Sequence, residues 1–342
     1  MELKYKLYMK HILPLILALC LFTNCSKDDA TSKDYTYYYP TDEASITNEN
    51  IPGSTEAFDP KGIALSNEKL YVVNGNVLEI FNAVTLAHIK TIKEYVKGTT
   101  TIPLTSLTSV SVDNGRIYLG TTESRLFVFD ETTNAGISTV GNGQWWQTFV
   151  HVFGVVAKDG LVFVKEKEKS IKVFETSQIT ETSDWNLKPI AKLNTLNGYT
   201  EIYSMDVFDG NLVVGGRDAK SYLQYNITKI KANAANSLTT PIEPEKVQFV
   251  DIKPIAVSFS KDFAVTSENV GSVSYLKLYP KADFIKMNYK AVLSVSDILG
   301  QNAFGTIVGT AQLDDRIFLS DNTNKKIRVI KLNKSTIAEQ NN

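Results

Sequence analysis

Residues 109–130 read SVSVDNGRIYLGTTESRLFVFD, and this stretch decides the fold. A short apolar strand runs into Asn114-Gly115, a pair that tolerates positive φ and so suits a two-residue hairpin turn. A second strand around Tyr118 follows, then a polar loop, then a third strand in which Leu126 and Val128 point opposite to Phe127 and Phe129. Because successive strand residues face opposite sides, both faces of this sheet are apolar, and it must be covered on both.

The same unit recurs at a period of about 45–55 residues, the range of propeller blades. GIALSNEKLYVVNGNVLEIFN begins at Gly62, GVVAKDGLVFVKEKEKSIKVFE at Gly154 and SMDVFDGNLVVGGRDAKSYLQYN at Ser204. AVSFSKDFAVTSENVGSVSYLKLY begins at Ala256 and GTAQLDDRIFLSDNTNKKIRVIKL at Gly309. Tyr71, Tyr118, Phe163, Val213, Ala264 and Phe318 hold equivalent second-strand positions, and Asp159-Gly160 and Asp209-Gly210 repeat the turn. Fourth strands are expected at residues 88–92, 137–140, 190–193, 247–250 and 292–295. One such sheet cannot bury both faces alone, but a closed ring can. The expectation is an all-β, six-bladed β-propeller over residues 53–335.

The sixth unit shows no fourth strand, and residues 336–342 read as a polar tail. Part of EASITNENI (Glu43–Ile51) is therefore expected to close the last blade from the N-terminal side; the alternative is a three-stranded blade. The repeats, GIALSNEKLYVVNG and DDRIFLSDNTNKKIRVI above all, resemble the NHL and TolB-like six-bladed propeller repeats. That fold hosts enzymes, receptors and scaffolds, so it does not fix a function.

Residues 1–24 carry Lys4, Lys6 and Lys10 before an apolar run from Ile12 to Phe22. The run is too short for a permanent span and reads as a secretory signal. Cys25, followed by Ser26-Lys27-Asp28-Asp29, resembles the processing site and export tag of surface lipoproteins of the Bacteroidota. The resemblance implies lipid attachment at Cys25 and an address on the outer membrane, at the cell surface. Residues 25–52 then form a polar tether with the closing strand. Tyr35, Tyr37, Tyr38 and Tyr39 interrupt it, suited to docking on the propeller side or to a membrane partner.

Composition narrows the chemistry. Both cysteines, Cys20 and Cys25, lie in the leader region, so the body has no disulfide and no thiolate site. Of the histidines only His88 and His151 lie beyond the leader, too few for a histidine-rich metal centre. The net charge of -1 comes with no basic patch of the kind that binds nucleic acid. No cofactor and no resident metal are implied; Asp321-Asn322-Thr323-Asn324 lacks the glycine and glutamate of a calcium loop.

The aromatic anomaly is GNGQWWQTFVHVFG, with Trp145, Trp146 and His151 just ahead of the third blade; NTLNGYTEIYS brings Tyr199, Glu201 and Tyr203 ahead of the fourth. With Arg125 and Arg217 from neighbouring loops, these residues form the candidate ligand-binding rim. Flat rings beside hydrogen-bonding groups suit a small molecule, a glycan or a protein. The run Lys165–Lys169 reads as a solvated hairpin tip, and the fourth-blade insert from Asn226 to Val247 as an elaborated outer loop. The leading expectation is a non-catalytic, surface-anchored binding module, working beside an outer-membrane transporter in nutrient uptake. The alternative is a metal-dependent hydrolase or lactonase drawing on Asp59, Thr108, His151, Glu201, Lys253 and Asn302. A structural scaffold is a third reading.

Overall fold

The structure, a computed structural model, describes residues 35–337 apart from 55–56, 145–147, 168–169, 184, 196–203, 217–219, 251–252, 271–272 and 299–302. The chain divides into two compact units, Tyr38–Lys334 and the pair of segments Met1–Tyr37 and Ser335–Asn342. Of the second unit, residues 35–37 and 335–337 are described, all of them extended. The blades and the site belong to Tyr38–Lys334, and two strands of the last blade run a few residues past its ends.

Six four-stranded sheets form the six blades of a β-propeller. The innermost strands are Pro60–Ser66, Leu107–Asp113, Val152–Lys158, Met205–Phe208, Lys253–Phe259 and Ile307–Leu313. Each contacts the next around the ring, and the sixth meets the first. The turns that the sequence requires are present: Asn114-Gly115, Asp159-Gly160 and Asp209-Gly210 all have positive φ at both residues.

Six buried clusters hold the ring, one between each pair of neighbouring blades. The two faces of the third strand of blade 2 show how. Phe127 and Phe129 pack with Tyr71 and Ile80 of blade 1, while Leu126 and Val128 pack with Val162 and Val164 of blade 3. Of the six second-strand residues aligned from the sequence, Tyr71, Tyr118, Phe163, Val213 and Phe318 are fully buried against the following blade, whereas Ala264, also buried, faces the preceding one and Val265 takes the equivalent place.

The last blade runs, from outside in, Tyr35–Ile46, Lys326–Ile337, Arg316–Asp321 and Ile307–Leu313. A strand from the N-terminal side thus supplies its outer edge, as expected, with Glu43–Ile46 the part of Glu43–Ile51 that takes part. It extends back to Tyr35, while Asn48–Asn50 form a 3-10 turn capped by Thr47. Tyr38 belongs to this strand, with its ring edge-on to Phe263 of blade 5 at 5.0 Å. The third strand also runs on to Ile337, past the start of the expected tail.

Closure is fastened in two ways. Ile46 is fully buried among Phe318, Val72 and Phe81, a burial that contributes about 2 kcal/mol. Arg316 forks onto both carboxylate oxygens of Glu43, and its Nη1 donates to Ala83 O at 3.2 Å. One guanidinium therefore joins the closing strand, blade 6 and blade 1.

Two elements depart from the expected pattern. The fourth-blade insert folds as a helix, Ile227–Ser237, with Asn226 Oδ1 accepting from Lys229 N at 3.1 Å. Ile227 and Ile230 are buried against blades 3 and 4, with Ala234 packed beside them. A short hairpin, Glu94–Lys97 with Thr100–Pro103, sits between blades 1 and 2 and buries Tyr95 against Phe127 and Phe129. Among the described residues no helix is long and apolar enough to cross a membrane.

The inner strands approach so closely that small residues are obligatory. A Cβ on Gly62 would lie 2.8 Å from Ser109 Cα, and one on Gly309 would lie 3.0 Å from Lys61 O. Gly62→Ala is expected to lower unfolding stability by about 1–3 kcal/mol, as overpacking of rigid backbone does. Gly75→Ala, where an added Cβ meets nothing within 4 Å, is expected to cost about 1 kcal/mol through its positive φ alone. Denaturant unfolding of the two variants checks the difference.

Candidate functional site

Five of the six innermost strands carry a β-bulge near their first residues. The pairing slips between Pro60 and Ile63, Leu107 and Ser109, Val152 and Gly154, Pro254 and Ala256, and Ile307 and Gly309. A bulge adds one unpaired residue and re-aims its side chain. Four of the displaced residues, Lys61, Thr108, Phe153 and Val308, line a cavity of about 250 Å³ at the channel mouth, together with Gly62 and Asn322. The apolar side chains Phe153 and Val308 are only half-buried there.

An ion-pair network shapes one wall of this mouth. Lys325 Nζ lies 2.6 Å from Asp59 Oδ1, and Asn322 Nδ2 donates to the same oxygen at 3.0 Å. Lys61 Nζ stands 3.7 Å from Asp59 Oδ2 and 3.4 Å from Leu107 O. Partial burial pushes the Asp59 carboxyl up, but the bonds from Lys325 and Asn322 and the charges of Lys325 and Lys61 outweigh it and hold the group below the usual carboxylate range. Across the mouth, Thr108 Oγ1 donates to Val152 O at 2.8 Å and ties blade 2 to blade 3.

Below the mouth lies a second space of about 260 Å³, lined by the innermost strands of all six blades, with Ser204 ahead of the fourth. Four of its five lining hydroxyls join blades, and Ser109 Oγ meets Thr108 Oγ1 of its own strand at 3.4 Å. Ser258 Oγ meets Thr310 Oγ1 at 2.9 Å, Ser204 Oγ donates to Val257 O at 2.9 Å, and Ser111 Oγ accepts from Ala157 N at 2.9 Å. Asp206 lies at the far end. Protein surrounds it on every side, although the channel space leaves part of its surface reachable. Burial pushes its carboxyl up to about 6, against the opposing pull of the Phe259 and Val207 amides and the Lys158 charge.

Of the sequence-derived rim residues, Arg125 and His151 are described, and both gather on the turn Thr122–Arg125. His151 adopts a left-handed φ of 55°. Its amide donates to Ser124 Oγ at 3.2 Å, its Nδ1 contacts Thr122 O, and its ring lies 6.3 Å from that of Phe153. Arg125 Nη2 donates to Asn142 O at 2.6 Å, and its guanidinium stands 5.4 Å over the Phe127 ring. Its Nε has no hydrogen-bond partner among the described residues. Neither side chain lines the mouth cavity; His151 adjoins it through Phe153. Trp145, Trp146, Tyr199, Glu201, Tyr203 and Arg217 lie outside the described residues, as does Cys25.

The reading of Lys165–Lys169 as a solvated tip is overturned at its first two positions: Lys165 and Glu166 are fully buried. Glu166 ends the second strand of blade 3 and anchors the loop that leads into that blade. Its Oε2 accepts from Val150 N at 3.0 Å and pairs with Lys172 Nζ at 3.0 Å, while Lys172 Nζ donates to Thr148 O at 2.6 Å. The same position recurs around the ring. Asn74 Oδ1 accepts from Asp59 N at 2.7 Å, Thr121 Oγ1 donates to Thr105 O at 2.7 Å, and Asp321 Oδ2 accepts from Gly305 N at 3.3 Å. Asp321 is further paired with buried Arg328 at 2.9 Å, and Glu268 with Lys277 at 2.8 Å. Glu268 Oε1 also accepts from Tyr222, Tyr279 and Thr266.

These clamps escaped the sequence reading. The available signal was a polar residue at the sixth position of the apolar second strand in five blades, Gly216 taking that place in blade 4, with a base on the third strand in blades 3, 5 and 6. Among the described residues no group of three or more His, Cys, Asp or Glu side chains could hold a metal ion. Of the hydrolase set, Glu201 and Asn302 lie outside the described residues, and Lys253 is exposed.

No protein-family model matches the sequence, and no curated protein matches it. Solved structures do. A chain in the crystal structure of the mitotic checkpoint complex aligns with a TM-score of 0.53 at 11% identity, covering 91% of this chain and 97% of that one. The computationally designed Ika8 protein aligns at 0.45, also at 11% identity, covering 82% of this chain and 72% of that one. The former likeness shows a shared fold and nothing about activity.

Two outcomes follow from the site chemistry. Lys172→Met leaves the Glu166 carboxylate buried without its cation and is expected to cost about 3–5 kcal/mol. Adding Glu166→Gln in the same chain should recover part of that loss, measured by denaturant unfolding. For Asp206 the folded pKa of about 6 lies above the ordinary aspartate value of 3.8, so the folded state holds the extra proton in between. Its contribution to stability therefore falls as pH rises from about 4 to about 6. Asp206→Asn is expected to remove that slope from a plot of stability against pH.

Proposed function

We propose that this protein is a non-catalytic binding module, held at the outer membrane by lipid on Cys25, which captures a ligand at the propeller mouth for an outer-membrane transporter. The observation that carries the reading is the pair of half-buried apolar residues, Phe153 and Val308, framed by Lys61, Thr108 and Asn322 in one cavity. Core packing has no use for apolar side chains bulged into an open mouth; a ligand does. About 250 Å³ falls just below the range of drug-sized pockets, so the mouth suits a small molecule or one ring of a larger one. Trp145 and Trp146, read from the sequence, supply the flat rings that glycan or ring-system recognition uses. The hydrolase alternative needs Asp59 as a free oxygen donor, whereas Lys325 and Asn322 occupy one of its oxygens.

A thermal-shift screen against glycans and corrinoids tests the capture reading. A rise in Tm with at least one of them is expected, reduced by Phe153→Ala and by Trp145→Ala. The absence of any shift would count against it. Anchoring is tested separately: Cys25→Ala should move the protein from the detergent phase to the aqueous phase on partitioning.

A further inference from the structure

We infer that the ligand taken at the mouth carries a carboxylate attached to a flat apolar group, with Lys61 as its counter-charge. This inference rests on the proposed capture function and names the chemical class that the cavity selects.

The argument begins with the division of labour around Asp59. Lys325 and Asn322 satisfy Oδ1 at 2.6 and 3.0 Å. Lys61 stands off at 3.7 Å from Oδ2, and its only hydrogen bond among the described residues is a long one to Leu107 O at 3.4 Å. An ammonium has three donors, and these two loose contacts leave it capacity for a third partner. The lysines Lys61 and Lys325 against Asp59 leave this wall with one net positive charge, two minus one. The remaining mouth residues, Thr108, Phe153, Val308 and Asn322, carry none.

The bulge supplies the geometry. It aims Lys61 into the same cavity that receives Phe153 and Val308, so a ligand that buries an apolar ring on those side chains brings a substituent to the ammonium. Desolvation inside the mouth strengthens that attraction relative to bulk water. A neutral ligand would leave Lys61 dehydrated without compensation, and a cation would meet a like charge. A carboxylate, accepting a charge-assisted bond from Lys61 while its apolar group lies on Phe153 and Val308, satisfies both halves of the cavity.

Methyl NMR of Val308 in the purified full chain tests this with benzoate, benzyl alcohol and acetate as probes. Benzoate is expected to shift the Val308 methyl signals and to bind about tenfold more tightly than benzyl alcohol, the scale of one charge-assisted bond. Acetate, lacking the ring, should bind more weakly than benzoate. Lys61→Met should erase the preference for benzoate while leaving benzyl alcohol unaffected, and Lys61→Arg should restore it; an unchanged Tm of Lys61→Met certifies the fold. Equal binding of benzoate and benzyl alcohol, or an unchanged preference in Lys61→Met, overturns the carboxylate assignment. Failure of all three probes to shift Val308 also overturns it, while a surviving thermal shift with a glycan or corrinoid would leave the capture function standing.

Discussion

Backbone-to-backbone contact between innermost strands governs this molecule. A hypothetical Cβ on Gly62 falls 2.8 Å from Ser109 Cα, closer than any side chain tolerates, so neighbouring blades touch through their main chains at the ring. The residues that follow the bulges are correspondingly small: Ser109, Gly154, Ala256 and Gly309, with Gly62 inside the bulge of blade 1. This proximity narrows the channel, commits Ser111, Ser204, Ser258 and Thr310 to bonds between blades, and sends the extra residue of four of the five bulges toward the mouth, while Ile255 of blade 5 is buried. Ring closure and the mouth cavity thus have one geometric origin.

The second shared device is the polar residue at or near the end of the apolar second strand in every blade but the fourth, where Gly216 stands. In blade 3 the Glu166–Lys172 pair holds Thr148 and Val150, so the segment just after the tryptophans is tied to the sheet rather than to solvent. Buried ion pairs of this kind add little net stability compared with an apolar replacement, but they penalise any arrangement that leaves one partner alone. Their role here is to set the path of a loop. Glu268, with three hydroxyl donors on a single oxygen, ties the sheet of blade 4 to that of blade 5 through Tyr222, whose hydroxyl is pushed well above its ordinary range by burial first and by the Glu268 charge second.

How far the sequence could be read depended on whether a feature left a periodic mark. Alternation at Leu126–Phe129 and the paired positive-φ turns are local and repeated, so six blades and their fourth strands were legible. The bulges were not, because one extra residue beside Gly62 or Gly154 hardly disturbs so short an alternation. Lys165 and Glu166 were misread because alternating charge looks alike on a hairpin tip and inside a clamp; only the pairing of Val152 with Glu166 reveals the difference. The closing strand was anticipated only over Glu43–Ile46, since YTYYYPTDEASI mixes aromatic, proline and acidic residues without strand periodicity. The helix at Ile227–Ser237 was concealed by an alanine- and asparagine-rich run whose few apolar residues fall at helical spacing. At the site, Lys61, Phe153 and Val308 escaped notice because their common orientation is a property of the ring, not of any one repeat.

The clasp between Glu43 and Arg316 joins residues 273 positions apart in the sequence. Every other sheet is a simple meander whose partners are close neighbours along the chain, quick to assemble by local loop closure. The sixth alone must wait for two distant segments to find each other. Folding of this wheel is therefore a race of independent fast steps followed by a single slow capture, and until that capture the flanks of blades 1 and 6 stay bare and adhesive. A chain caught at that stage by a second copy could exchange its closing strand for the neighbour's, so the same feature that completes the monomer defines its most direct route to swapped association.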